Sequence, residues 1–279
     1  MNEVVVAVIL GIVEGLTEFL PVSSTGHLIL VGHWLHFTGA KANTFEIFIQ
    51  FGAILAVLGY FRGRLGALLQ RIFGKEPQPG DQYGLSVAQA RRFAAGVILA
   101  FIPAAAMGFL LYDIIGELLF NPKIVAAALV LGGAAIIAIE RLNLRPSTET
   151  METMSWTQAL WVGVAQCFAL VPGVSRSAST IMGGLIAGLS HAAAAEFSFF
   201  LAIPTIAAAT LYSLFKNIDL LRREDALTFA VGLVVSMIVA WLVIAAFMSF
   251  IKKHSFEAFG WYRIVLGLVI LGMIWWQGG

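Results

Sequence analysis

The chain has 279 residues, of which 59% are hydrophobic and 12% charged, with a formal net charge of +1 and a mean hydropathy of +0.90. Soluble domains carry about 25% charged and about 45–50% apolar residues with glycine included, so this composition, with 28 glycines on top of its 59%, excludes a soluble globular enzyme and a disordered chain. The near-zero charge excludes a nucleic-acid partner, and the single cysteine, Cys167, excludes a disulfide framework or a Cys-based metal site.

What remains is an all-α polytopic membrane protein. Its first apolar stretch, 4–38, is not expected to be a signal peptide, because Glu3 stands where a basic region belongs and Glu14 and Glu18 interrupt the apolar run. This stretch is cut by the polar tract Pro21 to His27, PVSSTGH. Three stretches long enough to span a bilayer follow at 44–61, 93–112 and 123–140. A second interrupted stretch, 157–190, is cut by Pro172 to Thr180, PGVSRSAST, and spans at 196–215, 226–251 and 261–276 complete the chain. Neither tract can face lipid with its backbone groups unsatisfied, so each interrupted stretch predicts a re-entrant helical hairpin buried among the spans.

The order of elements repeats. A broken hairpin precedes FEIFIQFGAILAVLGYF in the first half and EFSFFLAIPTIAAATLYSLF in the second. We therefore expect one integral membrane domain over 1–279, built from repeats at approximately 1–140 and 155–279. Three spans per half, an odd number, make the second repeat inverted relative to the first, and matching broken segments in inverted halves point to a binding site where they meet. If the loop 62–92 is cytoplasmic, eleven basic residues lie inside (Arg62, Arg64, Arg71, Lys75, Arg91, Arg92, Arg141, Arg145, Lys252, Lys253, Arg263) and five outside (Lys41, Lys123, Lys216, Arg222, Arg223). That bias places both termini outside.

Chemistry concentrates in the interrupted stretches. Glu14 and Glu18, at i and i+4, share one helix face. They line either a watery crevice or a site that supplies a proton, an arginine or a hard cation such as Mg²⁺ or Ca²⁺. After Pro21 breaks the helix, Ser23, Ser24 and Thr25 stand where the next half-helix begins, as caps or as an anion site with its free N–H groups. His27 is either a core histidine or a base or nucleophile. The second tract adds Arg176, costly by about 2.5–3.5 kcal/mol at membrane depth. It is either bound to a phosphate or ion-paired with Glu14, Glu18 or Glu196. Glu46 and Glu196 read as supports of the site or packing partners, and His33, His36, His191 and His254 as interfacial. Trp34, Trp156, Trp161, Trp261, Trp275 and Trp276 read as belt anchors, and Gly132-Gly133 and Gly183-Gly184 as close helix packing.

EGLTEFLPVSSTGH (Glu14 to His27) and PGVSRSAST (Pro172 to Thr180) resemble the two signature motifs of the bacterial undecaprenyl pyrophosphate phosphatases, or bacitracin-resistance proteins, and the likeness covers essentially the whole chain. The resemblance implies hydrolysis of undecaprenyl diphosphate to undecaprenyl phosphate and inorganic phosphate, recycling the lipid carrier of peptidoglycan precursors in the inner membrane with a divalent cation. It maps functional positions onto Glu14, Glu18, Ser24, His27 and Arg176. Combined with the chemistry above, we expect Glu18, Ser24, His27 and Arg176 to be catalytic and Glu14 and Glu18 to bind the cation, Mg²⁺ or Ca²⁺. Ser23, Thr25, Gly26, Gly173, Ser175 and Ser177 are expected to bind substrate. The expected attack is by Ser24 Oγ with His27 or Glu18 as base, a phosphohistidine or direct attack by water being the alternatives. Expected partners are undecaprenyl diphosphate and other isoprenyl diphosphate lipids and the surrounding membrane lipids, with homodimerisation left open. The pocket is expected to open on the outer, periplasmic side. A transporter or flippase for a phosphorylated lipid is the competing function, since inverted repeats with broken helices are also a transporter architecture.

Overall fold

A computed structural model describes residues 2–78, 81–111, 121–217, 219 and 222–276. Residue 112, the end of the expected span 93–112, lies outside them. Eleven α-helices run through the described residues, with no strand among them: α1 (Glu3–Thr17), α2 (Ser24–Trp34), α3 (Ala40–Tyr60), α4 (Arg62–Ile72), α5 (Val87–Leu110), α6 (Pro122–Arg141), α7 (Trp156–Gln166), α8 (Arg176–Ile186), α9 (His191–Lys216), α10 (Ala226–Phe250) and α11 (Glu257–Trp276). Six of them, α3, α5, α6, α9, α10 and α11, are long and apolar enough to cross a membrane. The chain is thus an all-α, multi-pass membrane protein. Each expected span is found, extended by a few residues where polar caps such as Ser86, Asn121 and Ser190 accept the first N–H groups.

Both interrupted stretches are helical hairpins. The first is α1 and α2 with the break between Thr17 and Ser24. The second is α7, a 3₁₀ turn at Cys167–Leu170, and α8. The halves exchange their hairpins. α1 packs along α10 of the second half and α7 along α5 of the first, while α6 packs on α11 and α3 on α9. Glycines permit both exchanges. A Cβ on Gly11 would stand 2.8 Å from the Gly232 carbonyl oxygen in α10, and one on Gly163 would collide with the Ala100 backbone in α5. A Cβ on Gly15, beside Glu14, would lie 2.7 Å from the Ser236 oxygen and 2.9 Å from the Ala240 nitrogen. Backbone cannot swing aside, so Gly15→Ala is expected to destabilise the protein by about 1–3 kcal/mol. A thermal melt of the detergent-purified variant measures this, and an unchanged midpoint would contradict the packing.

One helix departs from the sequence reading. The expected loop 62–92 contains α4, whose Leu65, Leu68, Leu69 and Ile72 fall at helical spacing. Leu68 is buried toward α5 while Leu69 is exposed. Arg71 organises the following turn, donating to the carbonyls of Lys75, Glu76 and Leu85 and pairing with Asp81. The Tyr83 N–H and the Arg71 guanidinium hold the Asp81 carboxyl below its ordinary range.

A second departure concerns Arg263. It is fully buried in α11 rather than lying at a surface, so the orientation expected from the charge bias would rest on ten basic residues against five. His191 is likewise more than interfacial. Its Nε2 meets Glu140 at 3.1 Å and its ring stacks on Phe256. The six tryptophans expected at the belt are all exposed, from 50% for Trp161 to 85% for Trp276.

Candidate active site

The two breaks have the same local build. Ser23 and Ser175 are non-glycine residues at positive φ, +72° and +77°, a conformation that costs of order 1–3 kcal/mol and persists where surroundings enforce it. Each caps the half-helix that follows, Ser23 Oγ accepting from the Gly26 N–H and Ser175 Oγ from the Ala178 N–H. Val22-Ser23-Ser24-Thr25 therefore matches Val174-Ser175-Arg176-Ser177, and Ser24 and Arg176 are counterparts, each the first residue of its helix.

The breaks meet. Ser177 Oγ donates to the Leu20 carbonyl at 2.8 Å, and Arg176 Nη2 and Nε reach Glu18 Oε1 at 3.2 and 3.4 Å. On its other oxygen, Oε2, Glu18 accepts the Ser24 hydroxyl at 2.6 Å. A continuous chain thus runs Ser24, Glu18, Arg176, with the first residue of α2 at one end and the first residue of α8 at the other. Arg176 is held from behind by the Ser198 carbonyl, which accepts from Nη1 at 2.9 Å, and lies 5.7 Å over the Phe19 ring. Phe19 is itself fully buried, edge-on to Phe199 at 5.1 Å. The site is nearly sealed: Glu18 and Ser24 are each 7% exposed.

His27 is one turn along α2, and its ring nitrogens bond groups other than Ser24. Its Nδ1 lies 2.7 Å from the Ser23 carbonyl, which can only accept, so Nδ1 carries a proton. Nε2 lies 2.7 Å from the Tyr262 hydroxyl, with the rings parallel at 5.7 Å. In neutral His27, Nε2 accepts from Tyr262.

Glu14 is fully buried and neither of its carboxylate oxygens has a hydrogen-bond partner. An orphaned carboxylate one helical turn from Glu18 suits a hard cation. Among the described residues no group of three or more His, Cys, Asp or Glu could hold a metal. Of the other expected site residues, Ser175 Oγ lies 3.0 Å from Ser177 Oγ, and Thr25 is half-buried on α2. Gly26 is packed against Leu129 and Val125 of α6. Gly173 sits at φ +95°, and a Cβ there would stand 3.0 Å from Val125 Cα. Glu196 is not the partner of Arg176. It pairs with Arg64 at 2.8 Å, and Arg64 Nε also reaches Glu152 at 2.6 Å. Glu46 lies half-buried in α3, facing Gly32 of α2.

The sequence reading missed Tyr262, Arg263 and Ser198. Tyr262 and Arg263 were legible as polar groups inside the stretch 261–276; Ser198 is an ordinary serine whose carbonyl matters only through the fold.

The model of the family described as bacitracin resistance protein BacA matches residues 7–269. The chain is 50% identical over 273 residues to an undecaprenyl-diphosphatase of Aromatoleum aromaticum, covering 98% of this chain and 94% of the relative. It is 51% identical over 271 residues to one of Ectopseudomonas mendocina, covering 97% and 93%. It is 49% identical over 273 residues to one of Pseudomonas putida, again covering 98% and 94%. A match over nearly the full length, with both hairpin breaks inside it, means that this chain belongs to the BacA family of bacitracin resistance proteins.

Proposed function

We propose that this protein is a membrane-embedded undecaprenyl-diphosphatase, and that the Ser24–Glu18–Arg176 chain joining the two breaks carries the reaction. Phosphoryl transfer asks mainly for positioning and charge neutralisation. The N–H groups that open α2 and α8, the Arg176 guanidinium and the surrounding hydroxyls supply both. Ser24 Oγ attacks the terminal phosphorus while its proton passes to Glu18 Oε2. The Oγ–P bond forms, and the bond to the bridging oxygen breaks, its electron pair leaving with undecaprenyl phosphate. Water then attacks the phosphoserine, inorganic phosphate leaves, and the proton on Glu18 returns to Ser24. Geometry favours Glu18 over His27 as the base, because both His27 nitrogens are engaged elsewhere and only Glu18 touches the hydroxyl. His27 steadies the turn that presents Ser24.

Glu14 and Glu18 are the residues that would hold Mg²⁺ or Ca²⁺, and the ion supplies neutralisation of the diphosphate charge. The isoprenoid tail stays among the lipid-exposed faces of the spans. The hairpin exchange between the halves supports inverted repeats at approximately 1–140 and 155–279. The basic-residue bias supports an inner (plasma) membrane orientation with the site opening toward the periplasm.

The test is phosphate release from a long-chain isoprenyl diphosphate by the purified protein. Release is expected, abolished by chelator and restored by added Mg²⁺ or Ca²⁺. Undiminished release in chelator would overturn the role of the ion. Transfer of intact lipid diphosphate across vesicles without release would make the protein a transporter, a function that has no need of a serine hydroxyl bonded to a carboxylate.

A further inference from the structure

A backbone that breaks inside a membrane leaves carbonyls that water cannot reach, and something in the protein must satisfy them. Here one side chain does so for both breaks. Arg263 is fully buried in α11, and each of the five N–H groups of a guanidinium meets a backbone carbonyl. Nη1 donates to Pro21 at 3.3 Å and Val174 at 2.8 Å, Nη2 to Gly173 at 2.9 Å and Ala128 at 3.2 Å, and Nε to Leu129 at 3.5 Å. Pro21 belongs to the first break, Gly173 and Val174 to the second, and Ala128 and Leu129 to α6. No carboxylate pairs with Arg263 among the described residues, so its charge is solvated by carbonyl dipoles and not cancelled. Gly132 makes the room: a Cβ there would stand 2.9 Å from Arg263 Cζ. The close packing of α6 on α11 expected at Gly132-Gly133 thus brings α6 against the guanidinium itself.

We propose that Arg263 is a positioning residue for the hydrolysis, a clamp that fixes the first break against the second so that Ser24 and Glu18 meet Arg176. This rests on the phosphatase reading above. Lysine has a single ammonium with three donors and no planar fork, so it cannot span both breaks and α6.

The experiment measures kcat, KM and thermal midpoint for wild type, Arg263→Gln and Arg263→Lys on an isoprenyl diphosphate, and repeats Arg263→Gln on an Arg176→Ala background. Displacing a reacting group by about 1 Å can cost about 10²-fold. Both single variants are expected to lose at least that in kcat with KM changed far less. With Arg176 already removed, the alignment of Arg176 with Glu18 and Ser24 is no longer there to lose, and Arg263→Gln should cost less than about tenfold. Equal losses on both backgrounds, or near-normal kcat in Arg263→Lys, would overturn the clamp. If Arg263→Gln does not insert, Gly132→Ala, which keeps the arginine but crowds its guanidinium, should show the same loss of kcat, and normal turnover there would overturn the proposal. No hydrolysis by the wild-type protein would instead sink the phosphatase reading.

Discussion

Ser24→Ala is expected to lower kcat by at least about 10²–10⁴-fold. Its hydroxyl lies 2.6 Å from Glu18 Oε2 in a residue only 7% exposed, so the proton it gives up on attack passes to Glu18. A positioned general base contributes about 10²–10⁴, and without the serine Glu18 has no proton to take, so the loss includes that contribution as well as the nucleophile's own. KM should move much less, since the charged groups and helix N-termini that hold the diphosphate remain. Ser23→Ala provides the contrast. Ser23 Oγ caps α2 through the Gly26 N–H at 3.3 Å, a bond worth about 0.5–2 kcal/mol. Its removal should appear mainly in the thermal midpoint. Phosphate release by both variants, with trapping of labelled phosphoenzyme, decides the matter. A phosphohistidine on His27 in a Ser24→Ala enzyme that still turns over would move the nucleophile to His27.

Arg176→Lys is expected to lower kcat by about 10²–10³-fold although the charge is kept, the range typical for removal of one transition-state contact. Arg176 does two things that a lysine cannot do together. Its Nε and Nη2 face Glu18 Oε1 while Nη1 is held by the Ser198 carbonyl at 2.9 Å. This leaves a second Nη2 hydrogen for a phosphate oxygen while the Nε–Nη2 edge stays on Glu18, and an ammonium, which has no planar edge, cannot hold both partners in this way. The guanidinium also packs over Phe19. A purely structural ion pair with Glu18 predicts a different result, a lower thermal midpoint with near-normal kcat in the surviving protein. Measuring both quantities on one preparation separates the roles.

Much of this molecule was readable from the residues. The six spans follow from length and apolarity, because lipid demands about 20 apolar residues per crossing whatever the partners. The hairpin breaks follow from Pro21 and from the polar runs around Ser24 and Arg176, because such backbone has to be buried. Helix α4 was readable too, from the spacing of Leu65, Leu68, Leu69 and Ile72, but its flanking arginines give it the look of a loop. Arg263 was harder. Placed two residues inside its stretch, it counts as one more basic residue of the inner side, and no local feature of WYRIVLG announces that its partners are carbonyls from Pro21, Ala128, Leu129, Gly173 and Val174.

The sequence by itself determined that the chain is helical and membrane-embedded, and that its chemistry lies in two broken hairpins. Composition and periodicity are local properties, and the bilayer imposes the same requirement on every segment. Only the tertiary structure decided which oxygen of Glu18 faces Ser24 and which faces Arg176, that Glu196 belongs to Arg64, and that His27 is engaged by Ser23 and Tyr262. A carboxylate and a guanidinium can each pair with many partners. Their choice is made by distances between residues more than 130 positions apart, Glu18 and Arg176 as well as Arg64 and Glu196, and those distances are set by how glycine-lined helices pack.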